Sequence, residues 1–355
     1  MFTSRPSHAE VIFITNSMTG GGAERASNIL VNELFNQGFN VKLMVINSGV
    51  EDLVPPKCEV FKIGRNWQGS LLDTARAFFR VQRIVYRQKP SVIVLNCDLP
   101  EFLGSIMFHK SKTIVVEHAA RPWPTRTMLG KIVRFIHRFR GTRFVAVSSH
   151  LSIWPNGDLP AGVFPNAIDQ KVFLSNQSDK NEKEMRLIHV GRLVESKQPE
   201  WVLTISKRTE IACAFIGVGP LESEMKRQAE KDKIDARFLG QTSNPYELFN
   251  SLDLLLITSQ NEGDGLVLLE AAALQVPFLV LDILDFKKFR IPEIHKCVDI
   301  AEFEHKVLAY RSGSIDLRLK EEDSQRILRG RSPELVASLW LDFFRTELNL
   351  TLKKL

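Results

Sequence analysis

Cysteine is scarce in this sequence, and long apolar runs are absent from it. The four cysteines are far apart and form no CxxC pair: Cys58, Cys97, Cys213 and Cys297. Such spacing is typical of buried thiols in a reducing compartment and indicates neither a disulfide framework nor a zinc site. No apolar run approaches the roughly 18 residues of a transmembrane helix, and residues 1–10 lack the pattern of a signal peptide. We therefore expect a cytoplasmic protein.

Acidic residues are under-represented in the first half of the chain, where 20 Lys and Arg face 12 Asp and Glu over residues 1–170. Two segments there, 71–88 and 128–140, combine cations with apolar residues at helical spacing. Such a helix can lie on an anionic membrane leaflet, with about 1 kcal/mol from each cation near the surface. It can equally be an ordinary solvated face over a packed core. On the membrane hypothesis the contacting cations are Arg76, Arg80, Arg83, Arg87, Lys131, Arg134 and Arg138.

Short apolar runs alternate with helical patterns along the chain, as in βαβ units with a parallel, doubly wound sheet. In the first half the predicted strands are 11–15, 41–46, 91–95, 113–116 and 144–147, and the predicted helices are 23–37, 71–88, 101–108 and 128–140. After a polar passage at 166–184, strands are predicted at 187–190, 212–216, 236–239, 254–258 and 278–281.

This alternation predicts an α/β protein with two Rossmann-like domains, residues 1–170 and 185–331, and a ligand cleft at the carboxyl ends of their strands. The apolar residues within 332–355 predict a final helix that packs back toward the first domain.

The stretch 261–278 places two carboxylates, Glu262 and Glu270, eight residues apart across a glycine-containing turn. Residues 253–258 before it predict a buried strand, and Gly263 and Gly265 allow the amides of the next helix to approach a phosphate. One carboxylate can then reach a sugar or the reacting centre, and the other can accept hydrogen bonds from ribose hydroxyls. The alternative is an ordinary helix start whose acidic residues are favoured by the helix dipole.

A glycine run, Gly20 to Gly22, follows the first predicted strand and precedes a helix. Its flexible backbone could bring a phosphate or an acceptor group close to the helix amides. A tight strand-to-helix turn without a ligand is the alternative.

A series of motifs follows the order of one known family. They are GGGAERASNILVNELFNQGFNVKLMVI near the amino end, VAVSSHL at 145–151, VFPNAIDQKVF at 163–173, LIHVGRLVESKQPEWVL at 187–203, FIGVGPLESEMKRQA at 215–229, RFLG at 237–240 and the stretch at 261–278. This series resembles the GT-B glycosyltransferases of family 4, which transfer sugars from nucleotide donors with retention. The resemblance covers nearly the whole chain and implies the GT-B fold, with an acceptor-side domain at 1–170 and a donor domain at 185–331.

The resemblance implies a role for each matching residue. Arg192 and Lys197 would neutralise the diphosphate leaving group, and losing one such donor typically lowers the rate about 100- to 1000-fold. Catalytic contacts are expected from His118, on hydroxyls of the donor sugar, and from Glu262, which would face the sugar. The alternative for His118 is a structural histidine whose hydrogen bonds are satisfied within the fold. Donor binding is expected to involve Gly21, Gly22, Arg192, Lys197, Leu239, Gly240, Asp264, Gly265, Leu266 and Glu270, with the base recognised by backbone groups near 239–240.

The activity that the resemblance implies is retaining transfer of a hexosyl or N-acetylhexosaminyl group from a UDP- or GDP-linked donor. No Asp-x-Asp motif is present, so we expect neither a metal nor a cofactor beyond the nucleotide sugar. Same-face attack is favoured over a double displacement, although the sequence leaves both open.

The expected acceptor is a saccharide or lipid-linked saccharide of a bacterial surface polysaccharide, such as lipopolysaccharide, O-antigen or capsule. The enzyme would be cytoplasmic and peripheral on the inner face of the cytoplasmic membrane. The alternatives are another sugar-nucleotide enzyme such as an epimerase, or a basic non-catalytic binding protein. Nucleic acid is not expected as a partner, because the cations decorate helices rather than a patch with stacking aromatics.

Three departures from the family pattern limit the resemblance. Asn166 is followed by Ala167 where the family has a glycine, and Asp264 stands between two glycines where a phenylalanine is common. A carboxylate at 264 could contact a sugar hydroxyl or repel a phosphate. After Pro277 the segment VLDILDFKKFRIPE replaces an expected glycine pair, and the sequence assigns it no role.

Overall fold

The computed structural model describes residues 11–19, 21–49, 53–66, 69–119, 122–169 and 184–346. The chain divides into two compact units, one of Met1–Ala167 with Gly330–Leu355 and the other of Ile168–Arg329. Each unit is built on a parallel sheet of six strands. Gly20 and most of the polar passage, residues 170–183, lie outside the described residues.

The first unit has strands on which alternate residues pack into two different cores. Val11 and Phe13 of the first strand join one core, and Ile12 and Ile14 join the other. Because helices cover both faces, such strands are apolar along their whole length instead of alternating with polar residues. The strands are β1 (Val11–Thr15), β2 (Val41–Ser48), β3 (Val60–Asn66), β4 (Val92–Asn96), β5 (Lys112–Glu117) and β6 (Arg143–Ala146). The helices are α1 (Gly22–Asn36), α2 (Leu71–Gln88), α3 (Asp98–Ile106) and α4 (Thr127–Phe139).

The second unit repeats this plan. Its strands are β7 (Leu187–Val190), β8 (Cys213–Ile216), β9 (Ala236–Phe238), β10 (Leu254–Ile257), β11 (Phe278–Leu281) and β12 (Lys296–Cys297). Its helices are α5 (Pro199–Thr209), α6 (Glu222–Asp232), α7 (Leu266–Leu274), α8 (Ile300–Arg311) and α9 (Glu321–Ile327). Short 3-10 segments follow several strands, at Glu195–Lys197, Pro245–Leu248, Leu284–Phe289 and Glu293–His295.

Each sheet reverses its strand order at one point. The order is β3-β2-β1-β4-β5-β6 in the first unit and β12-β11-β10-β7-β8-β9 in the second. The reversals fall between β1 and β4 and between β7 and β10. The loops that follow the two strands at such a point diverge, which opens a crevice at the carboxyl edge of the sheet where ligands bind in this kind of fold.

The last helix, α10 (Pro333–Thr346), belongs to the first unit although it follows the second in the chain. Trp340 stacks on Phe164 with ring centroids 4.4 Å apart and meets the edge of Phe13 at 5.9 Å. Phe344 is fully buried beside it. The apolar face of the helix is therefore buried in the core that also contains β1 and α1.

Two strands were not predicted from the sequence. β3 lies at the edge of its sheet and its exposure alternates, so it lacks the continuous apolar run of the inner strands. β12 has two residues and is too short to give a pattern. β3 pairs in parallel with β2, and β12 pairs in parallel with β11. These neighbouring strands fix the position of each edge strand.

Arg134 on α4 contradicts the prediction that it faces a membrane. Its side chain is 1% exposed, and its guanidinium lies 2.5 Å from Glu101 and 2.6 Å from Glu117. Burial raises the pKa of Glu117, and the Arg134 charge opposes that shift. The pattern of α4 alone could not reveal this, because both carboxylates belong to other elements, α3 and β5.

The exposed face of α4 is mainly apolar. Met128, Ile132, Phe135 and Phe139, at spacings of four, three and four, have between 56% and 87% of their surface exposed. Lys131 is exposed nearby, and Arg138 pairs with Asp158 at 2.8 Å. On α2 the predicted cations do lie at the surface, and they are Arg76, Arg80, Arg83 and Arg87.

Candidate active site

The loops after β7 and β10, at the reversal point of the second sheet, contain several of the predicted site residues. Arg192 and Lys197 follow β7, and Glu262 follows β10. Because parallel strands end at the same edge of a sheet, these loops are neighbours even though about 65 residues separate them in the sequence. The fold thus brings together Lys197 and Glu262, which the motifs indicated separately, and Arg192 lies on the same loop as Lys197.

Two glycines shape the floor of this site. A Cβ atom at Gly217 would lie 2.0 Å from the carbonyl oxygen of Gly191, and one at Gly219 would lie 2.3 Å from that of Leu193. Any other residue at either position would displace backbone. The loop after β8 therefore packs directly on the loop after β7 and supports the chain that leads to Lys197.

Hydrogen bonds join the β7 loop to the β10 loop. The Thr258 hydroxyl lies 2.7 Å from the carbonyl oxygen of Lys197, and the amide of Gln260 donates to the carbonyl of Ser196 at 2.9 Å. These bonds hold the backbone of Lys197 against the end of β10. Neither Thr258 nor Gln260 was singled out in the sequence.

Lys197 and Glu262 form an ion pair with 2.6 Å between the ammonium nitrogen and a carboxylate oxygen. The side chains are 21% and 15% exposed, so the pair is partly desolvated but reachable from solvent. Arg192, on the same loop as Lys197, is exposed. One paired and one exposed cation can both approach an anionic ligand at this edge of the sheet.

Glu270 lies in the second turn of α7 and is buried. The hydroxyl of Tyr246 lies 3.2 Å from a Glu270 carboxylate oxygen and 3.2 Å from the carbonyl oxygen of Val267. Tyr246 comes from the 3-10 segment Pro245–Leu248, and the sequence contains no signal that pairs it with Glu270. The helix itself begins after Gly265, whose φ of +71° favours glycine.

The Asp264 carboxylate is not open to the site as a lone charge, because Lys288 pairs with it at 2.9 Å. The amide of Glu262 in turn donates to the Asp285 carboxylate at 2.8 Å. Both partners belong to the segment after Pro277 that the sequence left without a role. Lys288, Asp285 and Tyr246 are thus the site residues that sequence reasoning missed.

Leu239 and Gly240 lie just after β9, on the side of the sheet where β8 ends. The carbonyl of Gly240 accepts a hydrogen bond from the Gly217 amide at 2.7 Å, and Leu239 is 39% exposed. Their backbone is therefore linked to the loop that supports the β7 loop. Recognition of a base by these residues stays a prediction.

The remaining candidates belong to the first unit. Gly21 and Gly22 lie at the start of α1, where a Cβ atom at Gly21 would meet the Glu24 carboxylate at 2.2 Å. His118 follows β5, and its Nε2 lies 3.0 Å from the Asn96 side-chain oxygen at the end of β4. His118 and Asn96 line a small cavity near the β1–β4 reversal point. The contact of His118 with a donor sugar stays a prediction.

Residues 170–291 match the family model of glycosyl transferases group 1. The putative glycosyltransferase EpsF of Bacillus subtilis (strain 168) is 29% identical over 136 residues, which are 34% of this chain and 35% of EpsF. The O-antigen biosynthesis glycosyltransferase WbnH of Escherichia coli is 34% identical over 107 residues, 29% of this chain and 31% of WbnH. The chain thus spans about a third of the length of the curated relatives that it matches.

Among solved structures, Anabaena Alr3699/HepE in complex with UDP and glucose is similar over 96% of this chain and 100% of its own, with a TM-score of 0.76 and 14% identity. Together with the two parallel six-stranded sheets, this likeness defines the fold as GT-B. Within that fold, residues 170–291 match glycosyl transferases group 1, which confirms the resemblance to GT-B glycosyltransferases that the motifs indicated.

Proposed function

We propose that this protein is a retaining glycosyltransferase that moves a sugar from a nucleotide diphosphate donor to a saccharide or lipid-linked saccharide acceptor. The observation that carries the proposal is the Lys197–Glu262 ion pair at the β7–β10 reversal point. It lies inside the segment that matches glycosyl transferases group 1. An ammonium beside a carboxylate provides one group for a diphosphate and one for sugar hydroxyls at adjacent positions.

In the proposed reaction the acceptor hydroxyl attacks the anomeric carbon on the face from which the diphosphate leaves. The bond between this carbon and the phosphate oxygen breaks as the new glycosidic bond forms, and a departing phosphate oxygen takes the acceptor's proton. Lys197 and Arg192 stabilise the charge that develops on the diphosphate, aided by the amides at the start of α7. Because these contacts strengthen in the transition state, they raise the rate without a metal ion.

The donor in this proposal carries a hexosyl or N-acetylhexosaminyl group on UDP or GDP, with Glu270 accepting hydrogen bonds from the ribose. UDP is the first nucleotide to test, since HepE, which shares the fold, is in complex with UDP and glucose. A role in bacterial surface polysaccharide synthesis is supported by the similarity to the O-antigen biosynthesis protein WbnH.

The proposal includes peripheral contact with an anionic membrane through α4, whose exposed apolar face was described above. None of the described helices is both long and apolar enough to cross a bilayer. A helix with exposed large apolar residues and nearby cations, Lys131 among them, suits the boundary between headgroups and acyl chains. This location would give the enzyme access to a lipid-linked acceptor.

A ligand panel tests the donor assignment. Thermal shift and calorimetry with UDP, GDP, UDP-hexoses, UDP-N-acetylhexosamines and GDP-mannose should show stabilisation by one nucleotide family. A ligand at 100 times its Kd raises the free energy of unfolding by about 2.7 kcal/mol. Glu270→Gln should weaken this response. Glu247→Gln, a carboxylate next to Tyr246 that hydrogen-bonds Asn244, serves as the matched control and should leave it unchanged.

Three outcomes would contradict the proposal. If no nucleotide stabilises the wild-type protein, the proposed donor site is wrong. A changed donor sugar without transfer to any acceptor would indicate an epimerase. Salt-sensitive binding to oligonucleotides, with no nucleotide-sugar binding, would indicate a basic binding protein.

A further inference from the structure

The segment after β11 packs against the loop that contains Glu262. β11 neighbours β10 in the sheet, so the loops after these two strands leave the same edge side by side. The 3-10 segment Leu284–Phe289 occupies this position. Its two phenylalanines, Phe286 and Phe289, are buried, and a Cβ atom at Gly265 would lie 2.8 Å from the Phe286 ring. The apolar side of the segment thus fits directly under the turn that opens α7.

The polar side of the segment makes two contacts with the same loop. Asp285 accepts a hydrogen bond at 2.8 Å from the amide of Glu262. This bond fixes the backbone of the residue whose carboxylate pairs with Lys197. A hydrogen bond to an ionised acceptor is about twice as strong as a neutral one, so Asp285 restrains the loop at the position where its carboxylate side chain begins.

The second contact is the ion pair between Lys288 and Asp264. The Asp264 side chain is 1% exposed and that of Lys288 25% exposed, with 2.9 Å between nitrogen and oxygen. A carboxylate so deeply buried needs a cation, because an uncompensated buried charge strongly destabilises its surroundings. The Lys288 ammonium also lies 4.8 Å from the centre of the Phe289 ring. Lys288 therefore balances the charge of Asp264, which would otherwise repel a diphosphate nearby.

We propose that Asp285 and Lys288 are positioning residues that clamp the Asn261–Gly265 loop and thereby set the place of Glu262 and the charge that the loop presents to a nucleotide diphosphate. The inference rests on the proposed function only for its catalytic consequence. The clamp itself is a property of the loop and can be measured without any substrate. The proposed clamp also gives the segment 284–289 a role, because Lys288 of this segment pairs with Asp264 in the turn.

The first arm of the test measures the loop directly. Amide hydrogen exchange at residues 261–265 should accelerate in Lys288→Met and in Asp285→Leu relative to wild type. Lys288→Arg keeps the cation and should retain wild-type exchange. Lys226→Met removes a lysine that pairs with Glu222 on α6 in the same unit, and it serves as the matched control. Unchanged exchange in both clamp variants would overturn the inference.

The second arm measures turnover with the nucleotide sugar that stabilises wild type. A displacement of about 1 Å can lower a rate about 100-fold, so Lys288→Met should reduce kcat/KM by about that factor and Lys288→Arg by much less. In Asp264→Asn/Lys288→Met the buried charge is gone as well, so its kcat/KM should exceed that of Lys288→Met alone. Faster exchange with kcat/KM within about threefold of wild type would overturn the positioning role.

The two arms separate this inference from the proposed function. If wild type binds no nucleotide, the proposed function fails, and the exchange of residues 261–265 alone decides whether the clamp exists. If wild type turns over donor and the clamp variants match it in both arms, the clamp fails and the function stands.

Discussion

At the residue scale, the proposed function requires the Lys197 ammonium to contact two anions, the Glu262 carboxylate and a diphosphate. The carboxylate oxygen of Glu262 lies 2.6 Å from the ammonium nitrogen of Lys197. When a diphosphate binds, the same ammonium must be shared between the carboxylate and the phosphate oxygens. On this proposal the carboxylate weakens the attraction of Lys197 for a bare nucleotide diphosphate and holds the Lys197 side chain in place.

This competition predicts opposite effects of one substitution on binding and on catalysis. Glu262→Gln should tighten the binding of the nucleoside diphosphate by roughly 3- to 10-fold, because the Lys197 charge is no longer compensated. The same variant should lower kcat for transfer by about 100-fold or more, since the charged contact that we propose between Glu262 and the donor sugar is lost. Calorimetry with the diphosphate and initial rates with the nucleotide sugar measure the two effects.

A second carboxylate in the same unit provides the control for this prediction. Glu222→Gln removes the partner of Lys226 on α6, at 2.7 Å, and should change neither quantity. Weaker diphosphate binding in Glu262→Gln would show that the carboxylate helps to hold the nucleotide and would contradict the competition.

The sequence could predict the members of this site better than their partners. Glu262, Glu270, Arg192 and Lys197 follow strands or open a helix, which is a local signal. The ion pair that joins Lys197 to Glu262 is not local, because it depends on β7 and β10 being neighbours. Tyr246, Asp285 and Lys288 gave no signal at all, since each acts through a contact with a loop elsewhere in the chain.

At the element scale, α4 shows how a helix with a mixed pattern is divided between core and surface. Val133, Arg134 and His137 face inward, whereas Met128, Ile132, Phe135 and Phe139 face outward. The usual arrangement of a surface helix, with apolar residues inward and cations outward, is thus partly reversed. The reversal is possible because Glu101 and Glu117 compensate the buried Arg134 charge.

The exposed apolar residues of α4 predict membrane binding that salt does not abolish. Phe135→Ser/Phe139→Ser should reduce binding to anionic vesicles at both low and high ionic strength. Each of these aromatic side chains would bury apolar area in the membrane, and this contribution does not depend on charge. Arg83→Glu/Arg87→Glu on α2 should reduce binding at low ionic strength only, since exposed charges are screened by salt. Vesicle co-sedimentation across a salt series measures both.

This experiment has two controls, which are vesicles of neutral lipid and a surface substitution in the second unit. Val298→Ser, an apolar residue that is 70% exposed in the second unit, should leave vesicle binding unchanged. Equal binding by wild type and Phe135→Ser/Phe139→Ser at every salt concentration would mean that α4 does not enter the membrane.

The element pattern itself was predictable where burial is uniform. The inner strands of both sheets and the helices α1 to α4 have continuous or periodic apolar residues, and the ranges predicted for them overlap the observed ones. The prediction failed where a partner outside the element decides burial, as for Arg134, or where the element lies at a sheet edge, as for β3. Amphipathic periodicity gives the faces of a helix but not which of its cations finds a buried carboxylate.

At the scale of the whole molecule, each unit buries a histidine whose charged form the fold disfavours. Burial lowers the pKa of His137 in the first unit to about 4. In the second unit, burial lowers the pKa of His189 to about 3, with a smaller contribution from the Lys197 charge. The ordinary value is 6.5, so the unfolded chain takes up protons at these positions before the folded chain does. Acidification therefore favours unfolding of both units.

Glu117 acts in the opposite direction. Its pKa is raised by burial, so its ionised form is disfavoured in the folded state, and protonating it on acidification stabilises the fold. One carboxyl group paired with Arg134 offsets only part of the effect of His137 and His189, and burial lowers the pKa of His109 and His295 as well. The sum still predicts a loss of stability in the acid range.

The free energy of unfolding should accordingly be nearly constant from pH 6.5 to about 8, which is below the ordinary thiol pKa of 9.0 of the buried cysteines, and should fall as the pH decreases from 6.5 toward 4. A pKa shift of one unit corresponds to about 1.4 kcal/mol, so His137 accounts for about 3 kcal/mol of this fall.

In the fold, the Nε2 of His137 lies 2.9 Å from the Glu101 carbonyl oxygen. His137→Gln keeps a donor for that bond but cannot take up a proton. Urea unfolding of this variant across the range should therefore show a shallower dependence on pH than wild type. His305→Gln, a substitution at an exposed position on α8, should follow wild type. A His137→Gln variant that loses stability on acidification as steeply as wild type would show that His137 does not govern the acid limit, and it would move the cause to the other histidines whose pKa burial lowers, His109, His189 and His295.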